Sequence, residues 1–254
     1  MANEGELCKL EKRGAVYILT LLGHGEHRIN PPLVEAMLTC LKTLKETLIP
    51  SSSSPSSSVL ITTSEGKFFS NGLDLSYPSF PMVGVCFQKL LEAYMNLPMP
   101  TIAAVCGHAA AGGFILALAH DHILMRRDRG FLYMSEIDVS ILIPPGVMNI
   151  VRYKMGPKAF KDAVLCGKKH TADVALSLGI VDSVYDDSEK TVQAASELAK
   201  ELVSRKWKGN FYRDMREAMY PDVFREFNRS SSSSLSRPVS SSSSCSSLSS
   251  TSKL

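Results

Sequence analysis

The chain has 254 residues, 44% of them apolar and 21% charged, with a formal net charge of +3. That length holds one sizeable core or two small ones, and the balance is that of an ordinary globular protein. So slight a charge, with no basic block interleaved with aromatics, argues against a nucleic-acid binder, and no apolar run reaches the ~18 residues of a membrane span.

Residues 16–22 are a nearly continuous apolar run and predict a buried strand, with 9–12 as its hairpin partner. Asn30-Pro31-Pro32 supplies an N-cap and first-turn prolines for a helix over 33–47, which sets Leu33, Met37, Cys40, Leu41 and Leu44 on one face. Residues 50–58 are almost pure serine around Pro55; with so little to bury they predict a mobile loop. A buried strand follows at 59–63, then a helix at 83–95 that stops before Pro98 and Pro100. A strand at 101–105 precedes a very apolar helix at 112–119, and short strands are expected at 122–125 and 131–134. Helices are expected at 146–154, 158–166 and 172–178, the last capped by Thr171 and ended by Gly179. A short strand at 181–184, a long amphipathic helix at 188–206 and a final helix at 211–219 complete the ordered chain, and the serines of 230–250 predict disorder. Strands alternating with helices give an α/β fold with parallel strands.

The six cysteines (Cys8, Cys40, Cys86, Cys106, Cys166 and Cys245) include no close pair with metal or redox spacing, which fits free thiols in a reducing compartment. His24 with His27 and His120 with His122 lack supporting ligands, so no metal is expected. Residues 1–6 are small and acidic, unlike a secretory signal. Ser252-Lys253-Leu254 reads as a peroxisomal address for the import receptor, or else as the accidental end of a low-complexity tail.

Three segments carry the chemistry. The first is Phe68-Phe69-Ser70-Asn71-Gly72-Leu73-Asp74-Leu75, the second runs from Ala103 through Gly107, Gly112 and Gly113 to Phe114, and the third is Tyr133-Met134-Ser135-Glu136-Ile137-Asp138-Val139. Each glycine segment is expected to follow an apolar strand and open into an apolar helix. That arrangement serves a tight turn, or else it aims free N–H groups at a developing oxyanion beside one carboxylate.

These residues resemble the crotonase (enoyl-CoA hydratase/isomerase) superfamily, and within it the plant peroxisomal Δ3,Δ2-enoyl-CoA isomerases, over roughly residues 10–220. The resemblance implies a crotonase-like spiral of ββα units with a C-terminal helical region. One domain would cover 1–228: a catalytic core over about 8–185, then C-terminal helices over about 186–228 that help build trimers or hexamers. A serine-rich tail, 229–254, would follow. It also implies that the Leu73 and Gly112 N–H groups form an oxyanion hole and that Glu136 is the catalytic base. Asn71, Gly72, Leu73, Asp74, Leu75 and Gly112 would line an acyl-CoA thioester whose adenine end lies near 71–75. No metal or redox cofactor is expected, coenzyme A being part of the substrate.

Hydratases of the family use two glutamates to position and activate water. Here Ile115 holds the first of those positions and only Glu136 remains, which fits isomerisation of 3-enoyl-CoA to trans-2-enoyl-CoA by moving a proton from C2 to C4. Met134, Ile137 and Phe114 are expected to desolvate that glutamate. Asp74 is expected to cap a helix starting beside it and His108 to be a packed side chain, while Lys67 either faces the coenzyme phosphates or is simply exposed. The stretch between Leu75 and Pro98 is short for the family, Ser140 stands where relatives commonly have glycine, and Pro144-Pro145-Gly146 stiffens the following loop. A hydratase, a thioester hydrolase and a non-catalytic acyl-CoA-binding protein of the same superfamily are the alternative readings.

Overall fold

The computed structural model describes residues 6–48 and 57–235. Most of the 50–58 loop and the Ser252-Lys253-Leu254 terminus lie outside the described residues, although Ser57 and Ser58 are described and buried.

The apolar runs become the strands of a six-stranded sheet. Strands β1 (Cys8–Arg13) and β2 (Val16–Leu21) form the expected antiparallel hairpin. Strands β3 (Val59–Ser64), β5 (Thr101–Val105), β7 (His122–Arg126) and β9 (Ser183–Tyr185) then add in parallel, giving the order β1-β2-β3-β5-β7-β9. Three short strands, β4 (Phe68–Ser70), β6 (His108–Ala110) and β8 (Leu132–Tyr133), form a second parallel sheet in that order. With helices α2 (Phe80–Met95), α3 (Gly112–Leu118) and α4 (Pro145–Lys154), the chain repeats strand-strand-helix three times. Each repeat gives its first strand to the large sheet and its second to the small one.

The large sheet is covered on both faces, because alternate residues of a strand point oppositely. Tyr17, Leu19, Leu60, Ala103 and Met125 join the main core with α1 (Pro31–Thr47), α2 and α3. Ile18, Ile61, Ile102, Ala104 and Leu124 face Ala195, Ala199 and Leu202 of α7 (Ser188–Ser204). Asn30 caps α1 as expected, its side-chain oxygen accepting from the Leu33 N–H at 3.1 Å. Helices α5 (Pro157–Val164) and α6 (Ala172–Ser177) follow α4; Thr171 holds the N-cap position of α6, but its side chain makes no capping bond.

Two expectations are corrected. The first glycine segment does not open directly into a helix: residues 71–79 form a loop, and α2 starts only at Phe80, with a proline in its first turn. The helix α8 (Gly209–Met219) is not the last, since α9 (Pro221–Leu235) runs past residue 228 into the serine-rich stretch. Val223, Phe224 and Phe227 of α9 are buried, and Phe227 packs so closely on α4 that a side chain at Gly146 would meet its ring at 3.0 Å.

Candidate active site

The small sheet gathers the three chemical segments. Asn71-Gly72-Leu73 leaves the end of β4, Ala111-Gly112 the end of β6, and Met134-Ser135-Glu136 the end of β8. In register Phe68 pairs with His108 and Ala110 with Tyr133, so all three segments emerge from the carboxyl ends of adjacent parallel strands, where open α/β sheets hold ligands.

The first loop is aimed by a non-local ladder with residues 26–30. Asn71 N–H donates to the Glu26 carbonyl, Ile29 N–H to the Gly72 carbonyl, and Asp74 N–H to the Ile29 carbonyl, all at 2.8–2.9 Å. Because Gly72 C=O and Asp74 N–H both face this segment, the Leu73 N–H between them points the other way. Among the described residues it has no acceptor. Ser70 supports the turn, donating through its hydroxyl to the His27 carbonyl at 2.7 Å and accepting from the Gly72 N–H at 3.2 Å.

The second loop faces the first at contact distance. A Cβ on Gly72 would lie 2.9 Å from the Ala110 oxygen and 3.2 Å from the Gly112 nitrogen, and one on Gly112 would meet the Leu73 side chain at 3.1 Å. At Gly113 a side chain would run into the Ser70 carbonyl, so α3 must start with bare backbone against β4. Gly112 is the first residue of α3, and a first-turn amide has no acceptor within its own helix. Gly72 itself has φ +81°. Gly72→Ala is therefore expected to cost about 2 kcal/mol or more, read as a lower urea midpoint at unchanged slope.

Ala111, which directs the chain into α3, is strained: it holds φ 48° and ψ −122°, a region that favours glycine. Its N–H donates to the Tyr133 carbonyl at 2.7 Å, tying the second loop to the strand that leads to Glu136. Relief of a strain of about 1–3 kcal/mol outweighs the extra unfolded-state freedom of glycine. Ala111→Gly is expected to raise unfolding free energy by about 1 kcal/mol, which equilibrium denaturation checks.

Glu136 begins a turn closed by the Ile141 N–H donating to the Glu136 carbonyl at 3.0 Å. Ser140 takes φ 56° in that turn, which accounts for a position where glycine is at home. Glu136 is half-buried, its Oε2 is out of solvent with no hydrogen-bond partner among the described residues, and burial pushes its pKa above the ordinary carboxylate value. Phe114 and Met134, expected to desolvate the glutamate, are buried, as is Ile115, whereas Ile137 is 51% exposed and shields the glutamate less than its sequence position implies.

Asp74 is the opposite kind of acid. It caps no helix, which corrects the expectation for it. Oδ1 accepts from the Ser76 N–H at 3.1 Å and the Ser76 hydroxyl at 2.6 Å, while Oδ2 accepts from the Asn30 amide at 3.2 Å. Those bonds, from Ser76 first and Asn30 next, hold its pKa below the ordinary value. It fixes the loop to the start of α1, a role for Asn30 beyond capping that no sequence signal marks. Two carboxyl groups pushed in opposite directions separate a structural acid from one able to carry a proton.

Leu75 is 47% exposed and lies beyond the ladder. Lys67 is exposed, with its ammonium 5.5 Å from the centre of the Phe68 ring. His108 stacks between Phe68 and Phe131, with ring centres 5.3 and 4.3 Å away, as a packed side chain. Among the described residues, no three His, Cys, Asp or Glu side chains cluster in a way that would hold a metal ion.

Comparison with known proteins bears on this geometry. The family model described as enoyl-CoA hydratase/isomerase matches residues 29–223. Enoyl-CoA delta isomerase 1, peroxisomal, of Arabidopsis thaliana is 48% identical over 223 residues, covering 85% of this chain and 91% of that protein. Enoyl-CoA delta isomerase 2, peroxisomal, of the same plant is 43% identical over 230 residues, covering 85% and 93%. Among solved structures, an enoyl-CoA isomerase of Mycobacterium tuberculosis superposes with a TM-score of 0.77 at 18% identity, covering 88% of this chain and 95% of that one; this likeness concerns the fold.

Proposed function

The chain belongs to the enoyl-CoA hydratase/isomerase family, and from that premise we propose that it is a Δ3,Δ2-enoyl-CoA isomerase. It converts cis- or trans-3-enoyl-CoA into trans-2-enoyl-CoA, returning unsaturated acyl chains to β-oxidation. The observation that carries this reading is one carboxylate, half-buried Glu136 with its Oε2 out of solvent, and an alkyl side chain, Ile115, where a hydratase needs a second acid.

In this reading the thioester oxygen accepts from the Leu73 and Gly112 N–H groups. Glu136 takes a proton from C2, the C2–H electron pair moves into C1–C2, and the negative charge rests on the held oxygen as a dienolate. The proton returns at C4 and the double bond settles between C2 and C3. Preorganised amides are suited to that oxygen because they need no reorientation as charge builds; losing one such donor costs ~3 kcal/mol, a hundredfold or more in rate. The dipole of α3 adds to the effect at Gly112. Ile115 supplies no second acid to activate a water for addition to the product. Asn71 to Leu75 flank the coenzyme end of the substrate. Only a proton moves, so coenzyme A enters as part of the substrate and no redox cofactor is called for.

Peroxisomal location belongs to the same proposal, supported by the names of the two plant relatives. Removing residues 252–254 from a fluorescent fusion is expected to release it to the cytosol if the import receptor reads them. Assembly into a trimer or hexamer is supported by Phe211, Met215 and Met219, which form an exposed apolar stripe at i, i+4 and i+8 of α8. The functional reading is tested by supplying short- and long-chain 3-enoyl thioesters and identifying products by NMR. It requires 2-enoyl thioesters; failure to convert any chain length, or 3-hydroxyacyl thioesters as the main product, overturns it.

A further inference from the structure

Two thiols outside the site lie within reach of each other. Cys8 opens β1 and is 4% exposed; Cys40, thirty-two residues on, is half-buried on α1, and their Sγ atoms are 3.8 Å apart. No other two thiols among the described residues come this close: Cys106 is buried against Thr63 and the Ser188 carbonyl, and Cys166 is exposed. A disulfide needs the sulfurs to close by roughly a further 2 Å.

We propose that Cys8 and Cys40 are a redox-active dithiol that closes to an intramolecular disulfide when a hydroperoxide is the oxidant. Cys40 is the less buried of the two residues, and its hydrogen bond with Cys8 holds its thiol below the ordinary value. The same bond, with burial, pushes the Cys8 thiol up. The Cys40 thiolate attacks one peroxide oxygen, the O–O bond breaks, and a sulfenic acid forms with release of one water after proton uptake. The Cys8 sulfur then attacks the Cys40 sulfur, the S–O bond breaks, and the oxygen leaves as a second water carrying the Cys8 proton. In sum, two thiols and one hydrogen peroxide give one disulfide and two waters.

The new bond ties α1 to the edge hairpin. Since Asn30 at the head of α1 holds Asp74, it also braces the first loop. Cross-linking positions this far apart restricts the unfolded chain, so a thermal midpoint several degrees higher is expected in the oxidised protein.

The test treats the reduced full-length protein with hydrogen peroxide, alkylates the remaining thiols and maps peptides by mass spectrometry. The expected result is a Cys8–Cys40 linked peptide two hydrogens lighter than its parts, with a midpoint rise that dithiothreitol reverses. Both are lost in Cys40→Ser and in Cys8→Ser. Cys8 recovered as a free thiol while Cys40 carries a higher oxide, or linkage only between separate chains, overturns the proposal. The map of the unsubstituted protein decides this even if a variant fails to fold.

Discussion

Glu136→Gln is expected to lower kcat for 3-hexenoyl-CoA isomerisation about a thousandfold while leaving KM within a few-fold of its starting value, the pattern for losing a group that acts by proton transfer. Gln keeps the shape and much of the polarity but cannot take the C2 proton. In the proposed mechanism the active form is the carboxylate, so kcat/KM is expected to fall on the acid side as pH drops through the Glu136 pKa, which burial sets above the ordinary carboxylate value. Stability moves the opposite way. An acid whose folded pKa is raised favours the fold fully below its unfolded pKa and loses that contribution as pH rises through the folded one. Above its folded pKa the fold therefore carries an ionised carboxylate whose Oε2 has no hydrogen-bond partner among the described residues, at a cost. Glu136→Gln is expected to melt no lower than the unsubstituted protein, which separates lost chemistry from lost structure. A rate within tenfold of the unsubstituted enzyme would remove Glu136 from the mechanism.

Arg216→Ala is expected to destabilise the protein by about 3–5 kcal/mol, a fall in melting temperature of roughly 10 °C in differential scanning calorimetry. Arg216 is a buried knot between α8 and the core. Its guanidinium donates to the carbonyls of Met95 at 3.1 Å, Leu97 at 2.6 Å and Met99 at 2.7 Å, and forks onto Asp121 at 2.9 and 2.6 Å. Asp121 in turn accepts from the Thr101 N–H at 2.9 Å and its hydroxyl at 3.1 Å, at the start of β5. Burial alone would raise the Asp121 pKa, but the Arg216 charge and hydrogen bonds hold it below the ordinary value. Truncating Arg216 leaves that carboxylate buried without its counter-charge and three carbonyls without donors, the costly way to break such a pair. Because Asp121 is depressed, its contribution is present above the unfolded carboxyl pKa and lost as pH falls through the folded one. The penalty for Arg216→Ala is thus expected to shrink in acid, and a melting temperature unchanged at neutral pH would contradict the knot.

The central strands of the large sheet were legible in the sequence because they are buried on both faces and mostly apolar, as at Val16–Leu21 and Thr101–Val105. Helix α1 was legible from Asn30 and the prolines after it. Of the small sheet only β8 was legible, in the strand expected at 131–134; β4 and β6 are three residues long, too short for a period of two to appear, and the pairing of all three is non-local. Helix α9 was hidden by its serines, although Val223, Phe224 and Phe227 carry a helical spacing. At Asp74 the ambiguity is chemical, since an aspartate accepting from an N–H two residues on makes an Asx turn as readily as a helix cap. Glycine spacing and Glu136 pointed to the candidate site, but the direction of the Leu73 amide depends on a ladder with residues 26–30 that no local pattern reveals. The strain at Ala111 was equally invisible, because alanine carries no signal for positive φ.

The central claim, that one carboxylate relocates a proton within a single bound thioester, is met most directly by following deuterium from C2. Substrate labelled there and turned over in ordinary water is expected to give trans-2-enoyl-CoA with deuterium at C4 in a substantial share of first-turnover product, and Glu136→Gln is expected to abolish that transfer. Label lost wholly to water in the first turnover, or label at C4 undiminished in Glu136→Gln, would contradict it.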